Sequence, residues 1–463
     1  MEPHPDTVDQ LFDLLPDPQI HLDLGEREEL LQKYCDGMYT FFASLTHHNW
    51  PDGDLNHLRD HVKWQSANSI MDLQMFCSQL ARCGLTRPLS IDAGAKKERQ
   101  LAYWAWIAKG RRDDECPLKE ATRLSRNYEA EEPVQHNLLP EGSVVPALCA
   151  ACGSPDATKK CKGCLIKHGD HITAATVYCN AACQTLHWKT HKAACKIRKQ
   201  MYHATYLLAE IYRQQLRSTN IVNSVSVSEE NGIITMEECD PKLDFRGKTF
   251  FQPVPNSSNL SDTHLEAVLT FGWCHNLVHE VDPLLDLLIK PLCKTLEEVT
   301  VVPKNAHTTV CRLEHMGIYR YNGMWLHKVI RATLKSGDQI AVDLTGAQYG
   351  WCEVATPWEA YCKHRVHSVT QSITFDVGAP SLTPDMFRHR MEYLVTEARR
   401  NLALHVTQFL IAWMASKNMA TVRGLLKMTT REFEVASEEV VSHAKDIFEE
   451  LGKAYLQDPQ YRH

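Results

Sequence analysis

The sequence has no long apolar run, and its first residues, MEPHPDTVDQLF, lack the basic start that a secretory signal requires. We therefore expect no membrane span, and we expect the protein to work in the cytoplasm or the nucleus. Thiols stay reduced in these compartments. Clusters among the 17 cysteines are consequently more typical of metal sites or catalytic groups than of disulfide bonds.

An excess of positive charge is also missing, because the net charge at pH 7 is -7 and the sequence pI is about 6.4. Proteins that bind nucleic acid through their overall charge are usually basic, so this class is not expected. Internal repeats and long low-complexity tracts are absent as well. With 463 residues, of which 44% are apolar, the chain can form two or three units that each have a hydrophobic core.

What the sequence does contain is a dense cysteine cluster that begins with CAACGSPDATKKCKGC at residues 149–164. Two further pairs follow, and within each pair the residues are four apart, so they can lie on one face of a short helix. Four regular pairs fit scattered core cysteines or an oxidised network poorly. Closed, sulfur-rich tetrahedral sites are typical of structural zinc. The sequence predicts two zinc ions, with the ligands Cys149, Cys152, Cys161, Cys164, Cys179, Cys183, His191 and Cys195.

This ligand order resembles the MYND zinc finger, down to the dipeptides Tyr178-Cys179 and Cys183-Gln184 and the tryptophan Trp188. The resemblance covers residues 149–195 and implies a cross-brace. In a cross-brace the first and third ligand pairs share one zinc, and the second and fourth pairs share the other.

One ligand has an alternative, because His187 could replace His191. We prefer His191, since it matches the family's position and its spacing from Cys195 lets both side chains face one ion.

The resemblance also implies a partner class, since MYND modules dock short proline-containing peptides of other proteins. The matching positions here are Gln184, an amide that can pair with a peptide backbone, and Trp188, an aromatic that can cover a proline or leucine. The alternative is that Trp188 packs in the core of a small module. Lysines are frequent in the finger, but no recognition helix or stacking pattern accompanies them, so direct DNA binding is not expected.

We predict an α+β fold that is predominantly helical, with the central two-zinc finger and a small β-containing C-terminal unit. Helical spacing of apolar residues dominates both ends of the chain. The predicted division is a helical N-terminal region at 1–125, a linker at 126–148, the finger at 149–195, a helix and irregular connector at 196–260, an α+β unit with a β-hairpin at 261–380, and C-terminal helices at 381–463.

Three helix boundaries are predicted from local signals. The last helix of the finger should continue past Cys195, because an apolar stripe follows it at helical spacing. Thr383, followed by Pro384, is a start signal for a C-terminal helix. Thr429 and Glu432 form a capping box for the last helix.

A second candidate site lies in the predicted hairpin around Ser336-Gly337, where His327 starts one arm and Asp343 ends the other. That order resembles transglutaminase-like and papain-like cysteine hydrolases, in which an upstream cysteine is the nucleophile and the Asp orients the His. Cys274 and Cys293 are the candidate nucleophiles.

Two expectations argue against this hydrolase. A two-residue loop at Ser336-Gly337 would place Ile330 opposite Asp343 and turn His327 to the other face, whereas a three-residue loop or a bulge would put both on one face. Cys274 is also predicted in the middle of a helix, where its thiolate is not stabilised.

The predicted function is therefore a zinc-binding protein-interaction or regulatory adaptor protein. A cysteine hydrolase that uses Cys274, His327 and Asp343 is the alternative. A lysine methyltransferase ranks lower, because the Asn-His-Ser-Cys motif is absent. The segment DLTGAQYGW at 343–351 resembles uncharacterised fungal MYND-containing proteins.

Overall fold

The computed structural model describes most of the chain from the finger onward. The described residues are 106, 109–115, 148–161, 163, 165–168, 171–174, 176–220, 224–230, 232–238, 254, 257–313, 319–375, 383 and 390–457. Most of the predicted N-terminal helical region and linker therefore lie outside the described residues, as do Cys164 and Pro384.

Within these ranges the protein contains both long helices and several sheets, in agreement with an α+β class. The helices are α1 (Ala181–Ser218), α2 (Asp262–Thr270), α3 (Leu277–Leu284), α4 (Trp358–Arg365), α5 (Arg390–Ser416), α6 (Val422–Leu426) and α7 (Thr430–Gln457). The strands are β1 (Lys159–Lys160), β2 (Leu165–His168), β3 (His171–Ala174), β4 (Val177–Tyr178), β5 (Ser224–Glu230), β6 (Ile233–Glu238), β7 (Cys293–Pro303), β8 (Thr309–Leu313), β9 (Tyr319–Tyr321), β10 (His327–Leu334), β11 (Gln339–Val342), β12 (Ala355–Pro357) and β13 (Val366–Thr374).

Helix α1 links the finger to the rest of the protein. Asn180 caps its first turn by accepting a hydrogen bond from the backbone N–H of Cys183 at 2.9 Å. The helix has no internal glycine or proline and continues for 38 residues. Its stripe, which includes Met201, Leu208 and Ile211, is fully buried in the main core. The predicted continuation of the helix past Cys195 is confirmed.

The β part is more extensive than the small unit that the sequence predicted. A five-stranded antiparallel sheet has the order β12-β11-β10-β7-β13. A four-stranded sheet has the order β5-β6-β8-β9, in which β6 and β8 are parallel. The β5–β6 hairpin occupies part of the segment that was predicted as an irregular connector.

The capping box of α7 is confirmed. The backbone N–H of Thr429 donates to Glu432 Oε2 at 2.9 Å, and the N–H of Glu432 donates to Thr429 Oγ1 at 3.4 Å. Helix α5 begins at Arg390 in its described part. Since Pro384 is not described, the helix start at Thr383 stays a prediction.

A buried ion pair joins three helices of the core. Arg399 of α5 lies 2.9 Å from Glu280 of α3, and both side chains are fully buried. Arg399 also donates to the carbonyl of Thr219 at 3.0 Å, just after α1, and Tyr212 of α1 donates to Glu280 at 2.9 Å. Every charged atom therefore has partners, as burial of an ion pair requires.

None of the helices in the described ranges combines the length and the apolar character that a membrane crossing needs.

Candidate functional site

The first ligand group brings together Cys149, Cys152, Cys179 and Cys183, whose sulfur atoms all lie within 4.8 Å of one another. The first two come from a tight turn, in which Gly153 has a φ of +73° and donates its N–H to the carbonyl of Cys149 at 2.8 Å. The other two flank the start of α1. Cys179 thus precedes the helix, so the prediction that Cys179 and Cys183 share one helix face is wrong, and the loop pair lies against the N-terminal end of α1.

The sulfur spacing in this group fits a zinc ion. Cys179 Sγ lies 3.4 Å from the Sγ atoms of both Cys152 and Cys183, and Cys183 Sγ lies 3.8 Å from that of Cys152. A tetrahedral ion with Zn–S bonds of about 2.3 Å separates its sulfurs by roughly 3.8 Å. A disulfide would need about 2.05 Å. The arrangement is therefore that of metal ligands and not of a cross-link.

The thiols of this group change one another's ionisation. Burial opposes the Cys149 thiolate, but backbone N–H groups, including those of Cys179 and Ala151, lower its pKa to about 6. By contrast, hydrogen bonds with the neighbouring thiols of Cys149, Cys152 and Cys183 raise the pKa of Cys179 to about 12. Several thiolates this close together repel one another, and a divalent ion removes that penalty.

The second group contains Cys161, His191 and Cys195, all buried, with their ligand atoms within 4.8 Å of one another. The sulfurs of Cys161 and Cys195 are 3.9 Å apart. A Cβ added to Gly163 would lie 2.6 Å from Cys195 Sγ, so this position has no room for a side chain. The fourth predicted ligand, Cys164, lies outside the described residues.

The structure places His191 in this group and gives His187 another partner. The Nδ1 atom of His187 lies 3.0 Å from the Tyr178 hydroxyl, and its ring stacks on His191 at a centroid distance of 5.3 Å. His187 thus supports the ring of His191 while bonding elsewhere.

Short strands connect the two groups. Strand β1 pairs with β4, so that Lys159 lies opposite Tyr178, and the N–H of Cys161 donates to the carbonyl of Thr176 at 2.9 Å. The chain therefore alternates between the two groups, and the described part of this grouping agrees with the expected cross-brace order.

The two residues predicted to contact a peptide lie one helical turn apart on α1. Trp188 is 40% exposed, and its ring contacts that of His191 at a centroid distance of 6.1 Å. Gln184 is half-buried. Sequence reasoning missed Leu186, which is also exposed but lies on the opposite side of the helix by its spacing.

The finger is fixed to the C-terminal part by polar contacts of α1. Arg198 donates to Asp338 at 2.9 Å and to Thr176 Oγ1 at 2.8 Å. Although burial opposes it, the guanidinium of Arg198 lowers the pKa of Asp338. Lys199 donates to the carbonyl of Met428 at 3.0 Å. These contacts tie the finger to the β10–β11 turn and to the approach to α7.

The β10–β11 turn decides between the two loop lengths that the sequence left open. Ile330 pairs with Val342 and the N–H of Leu334 donates to the carbonyl of Asp338 at 2.8 Å, which excludes the two-residue loop. Three residues, with Gly337 at a φ of +94°, form the turn. This register puts His327 and Asp343 on the same face, which is the alternative that a three-residue loop required.

His327 and Asp343 form a buried hydrogen-bonded pair. His327 Nε2 lies 3.0 Å from Asp343 Oδ1, the Tyr361 hydroxyl donates to Oδ2 at 2.8 Å, and the N–H of Thr345 donates to Oδ1 at 3.2 Å. Burial opposes charge on the ring, but Asp343 and Cys274 raise the pKa of His327 to about 10. Burial raises the pKa of Asp343, but His327 and the other groups around the carboxylate together lower it by more, so the pKa of this carboxyl is below its usual value.

The predicted position of Cys274 in the middle of a helix is wrong. Helix α2 ends at Thr270, Gly272 takes a φ of +77°, and Cys274 lies in a short 3-10 turn before α3 begins at Leu277. The other candidate, Cys293, pairs with Leu334 at the end of β10 that is remote from His327. The structure therefore associates His327 with Cys274 and not with Cys293.

Comparison with known proteins identifies the finger. No solved structure matches the chain. Residues 149–195 match the family model of the MYND finger, and this range begins and ends at the first and last of the clustered ligands. Residues 149–195 of this chain are therefore a MYND finger, a zinc-finger module.

Proposed function

We propose that the protein is a zinc-dependent adaptor that docks short proline-containing peptides of partner proteins on its MYND finger. The observation that carries this proposal is the position of Trp188, an exposed aromatic that contacts the ring of His191. An indole left in solvent beside a rigid metal site offers an apolar surface that a partner can cover.

Two zinc ions would hold this surface in place. The four-cysteine group would bind one ion, and Cys161, His191, Cys195 and the predicted ligand Cys164 would bind the other. Bound zinc supplies structural cross-links that fix the loop against α1. Trp188 lies on α1, the helix that carries Cys183, so the zinc ligands would also fix the direction in which its side chain points.

The chemistry of Gln184 and Trp188 suits an extended peptide. A proline-containing segment is already extended before binding and loses little entropy. Its proline ring can stack on the indole of Trp188, while the amide of Gln184 can both donate to and accept from a peptide backbone. Two such contacts support a weak, reversible complex, which suits an adaptor.

The test of this proposal is Trp188→Ala in the full-length, zinc-loaded protein. Binding would be measured on an array of short synthetic proline-containing peptides. We expect a loss of at least about tenfold in affinity, since a buried aromatic anchor contributes roughly 2 kcal/mol or more. The control is Leu404→Ala, which removes a similarly exposed apolar side chain, 44% exposed, from α5.

The zinc content of Trp188→Ala distinguishes a docking role of Trp188 from a packing role. If Trp188→Ala keeps its zinc but no longer binds the peptides that the wild type binds, the docking role stands. A variant that loses zinc shows that Trp188 packs the module, and equal peptide binding by both proteins contradicts the proposal.

A further inference from the structure

The buried cluster of Cys274, His327 and Asp343 lies outside the finger at residues 149–195. The thiol of Cys274 comes from the 3-10 turn before α3, and the imidazole of His327 comes from the first residue of β10. The carboxylate of Asp343 comes from the residue after β11. Asp343 holds Nε2 of His327 at 3.0 Å. The carboxylate is itself held by the hydroxyl of Tyr361 and the N–H of Thr345, so the orientation of the imidazole is fixed.

The other ring nitrogen, Nδ1 of His327, is buried and has no hydrogen-bond partner among the described residues. Leaving such an atom unpaired destabilises a folded protein, so its persistence needs a reason. Cys274 lies beside this ring, since its Sγ is 3.9 Å from the carbonyl oxygen of Leu326, the residue before His327, and its thiol contributes to the raised pKa of His327. An oriented imidazole with one nitrogen unpaired near a thiol is arranged to take the proton of that thiol.

A second buried polar group, the hydroxyl of Tyr349, lies near Cys274. The buried hydroxyl of Tyr349 also has no partner among the described residues, and Cys274 contributes, after burial, to the raised pKa of Tyr349. An uncommitted O–H donor near a nucleophile is available to a developing oxyanion.

We propose that Cys274 is a nucleophile that accepts acyl groups from small activated esters or thioesters, with His327 as its general base and Asp343 as a positioning residue. Cys274 is 3% exposed, and the ring of His327 is covered by those of Tyr349 and Trp351, at centroid distances of 5.0 and 6.0 Å. A site this closed selects a small acyl group over a folded protein substrate.

The chemistry balances within the site. The proton of Cys274 passes to Nδ1 of His327, and Sγ attacks the carbonyl carbon while the bond to the leaving alcohol or thiol breaks. That leaving group takes the proton from His327. Water then gives a proton to His327 and attacks the thioester, which releases the carboxylic acid and returns the thiolate, and the imidazolium keeps the proton.

The first test measures labelling of each cysteine by iodoacetamide in the full-length, zinc-loaded protein at neutral pH, followed by mass spectrometry. Cys293 is an internal control, because it is more exposed at 8% and burial raises its pKa to about 12. We expect Cys274 to react at least about tenfold faster than Cys293 and faster than free N-acetylcysteine, since an ordinary cysteine is only ~3% thiolate at this pH.

Two variants separate general-base action from structure. His327→Gln keeps a polar side chain beside Asp343 but cannot take the proton, and we expect it to remove the fast labelling. His203→Gln is the matched control, because His203 is a buried histidine hydrogen-bonded to the carbonyl of Leu426 at 3.2 Å, remote from Cys274 in the fold. It should keep the fast labelling.

Acyl transfer is tested with p-nitrophenyl acetate. The expected result is a burst of nitrophenolate together with one acetyl group on Cys274, both absent from Cys274→Ser. Labelling of Cys274 no faster than that of Cys293, unchanged labelling in folded His327→Gln, or no acetyl group on Cys274 would each overturn the proposal. If His327→Gln does not fold, the wild-type pH profile decides. A labelling rate that is flat between about pH 6 and 8 supports the pair, and a tenfold rise per pH unit overturns it.

Discussion

At the scale of single residues, His327 shows how burial and charge compete. Its ring is fully buried, which opposes ionisation, and yet Asp343 and Cys274 raise its pKa to about 10. In the unfolded chain a histidine has a pKa of about 6.5. In the folded protein the ring of His327 therefore keeps its proton between these two pH values, whereas the same ring in the unfolded chain has lost it.

This proton makes stability depend on pH. The contribution of His327 is complete below about pH 6.5 and is lost as the pH rises towards about 10, because the folded-state pKa is the higher one. We expect the urea midpoint of the wild type to fall between about pH 7 and 9, and to fall less in His327→Gln, which has no titrating ring. Equal losses in the two proteins would contradict this linkage.

The sequence predicts the zinc ligands more reliably than it predicts the contact between His327 and Asp343. The zinc ligands follow from local spacing, since His191 and Cys195 share a face of α1 wherever the finger lies. The contact between His327 and Asp343 depends instead on the number of residues in one turn. Gly337 permits either a two-residue or a three-residue loop, and a slip of one residue reverses the face.

At the scale of elements, the start of α7 is specified by its own side chains. Thr429 and Glu432 cap each other's backbone. We expect Thr429→Ala to cost about 1 kcal/mol of local stability, which corresponds to roughly fivefold faster amide hydrogen exchange in the first turn of α7.

Thr429→Ser is the matched control, because it keeps the hydroxyl and should exchange at the wild-type rate. Unchanged exchange in Thr429→Ala would show that tertiary packing, and not the cap, holds this turn.

The break between α2 and α3 could not be predicted from apolar spacing. Residues on both sides recur with a helical period, so the segment resembles one helix around Cys274. The deciding residue is Gly272, whose φ of +77° ends the first helix and starts the 3-10 turn. Since glycine is also tolerated inside helices, the pattern alone does not distinguish a break from a continuous helix.

At the scale of the whole molecule, the finger and the body have different sources of stability. The buried apolar cluster of the finger consists of Cys149, Cys161, Tyr178 and Cys195, so three of its four members are predicted ligands. The body has its own extensive core around α1, α3, α5 and α7. Metal binding should therefore supply most of the finger's folding free energy.

We expect elemental analysis to give about two zinc ions per chain, in line with the two ligand groups. A strong chelator should abolish hydrogen-exchange protection in residues 149–195 and leave α5 and α7 protected. A stoichiometry near one would contradict the two-site assignment. Loss of protection throughout the chain would contradict the independent core of the body.

Long-range pairing was beyond sequence reasoning at this scale. Strand β6 pairs in parallel with β8, so that Ile233 lies opposite Thr309. The apolar pattern predicts a strand at each place but carries no information about which strands meet. The continuity of α1, by contrast, followed from a stripe of residues within one segment.

Because α1 is continuous, it fixes the rotation of the finger around the helix axis relative to the body. An α-helix turns about 100° and advances about 1.5 Å with each residue. Between Cys195, which belongs to a metal group, and Arg198, which bonds to Asp338, there are only two residues, and both are helical. Adding one residue there would rotate Trp188 by more than a quarter of a turn around the helix axis. The number of residues between Cys195 and Arg198 thus determines on which side of α1 a partner bound at Trp188 lies relative to the rest of the protein.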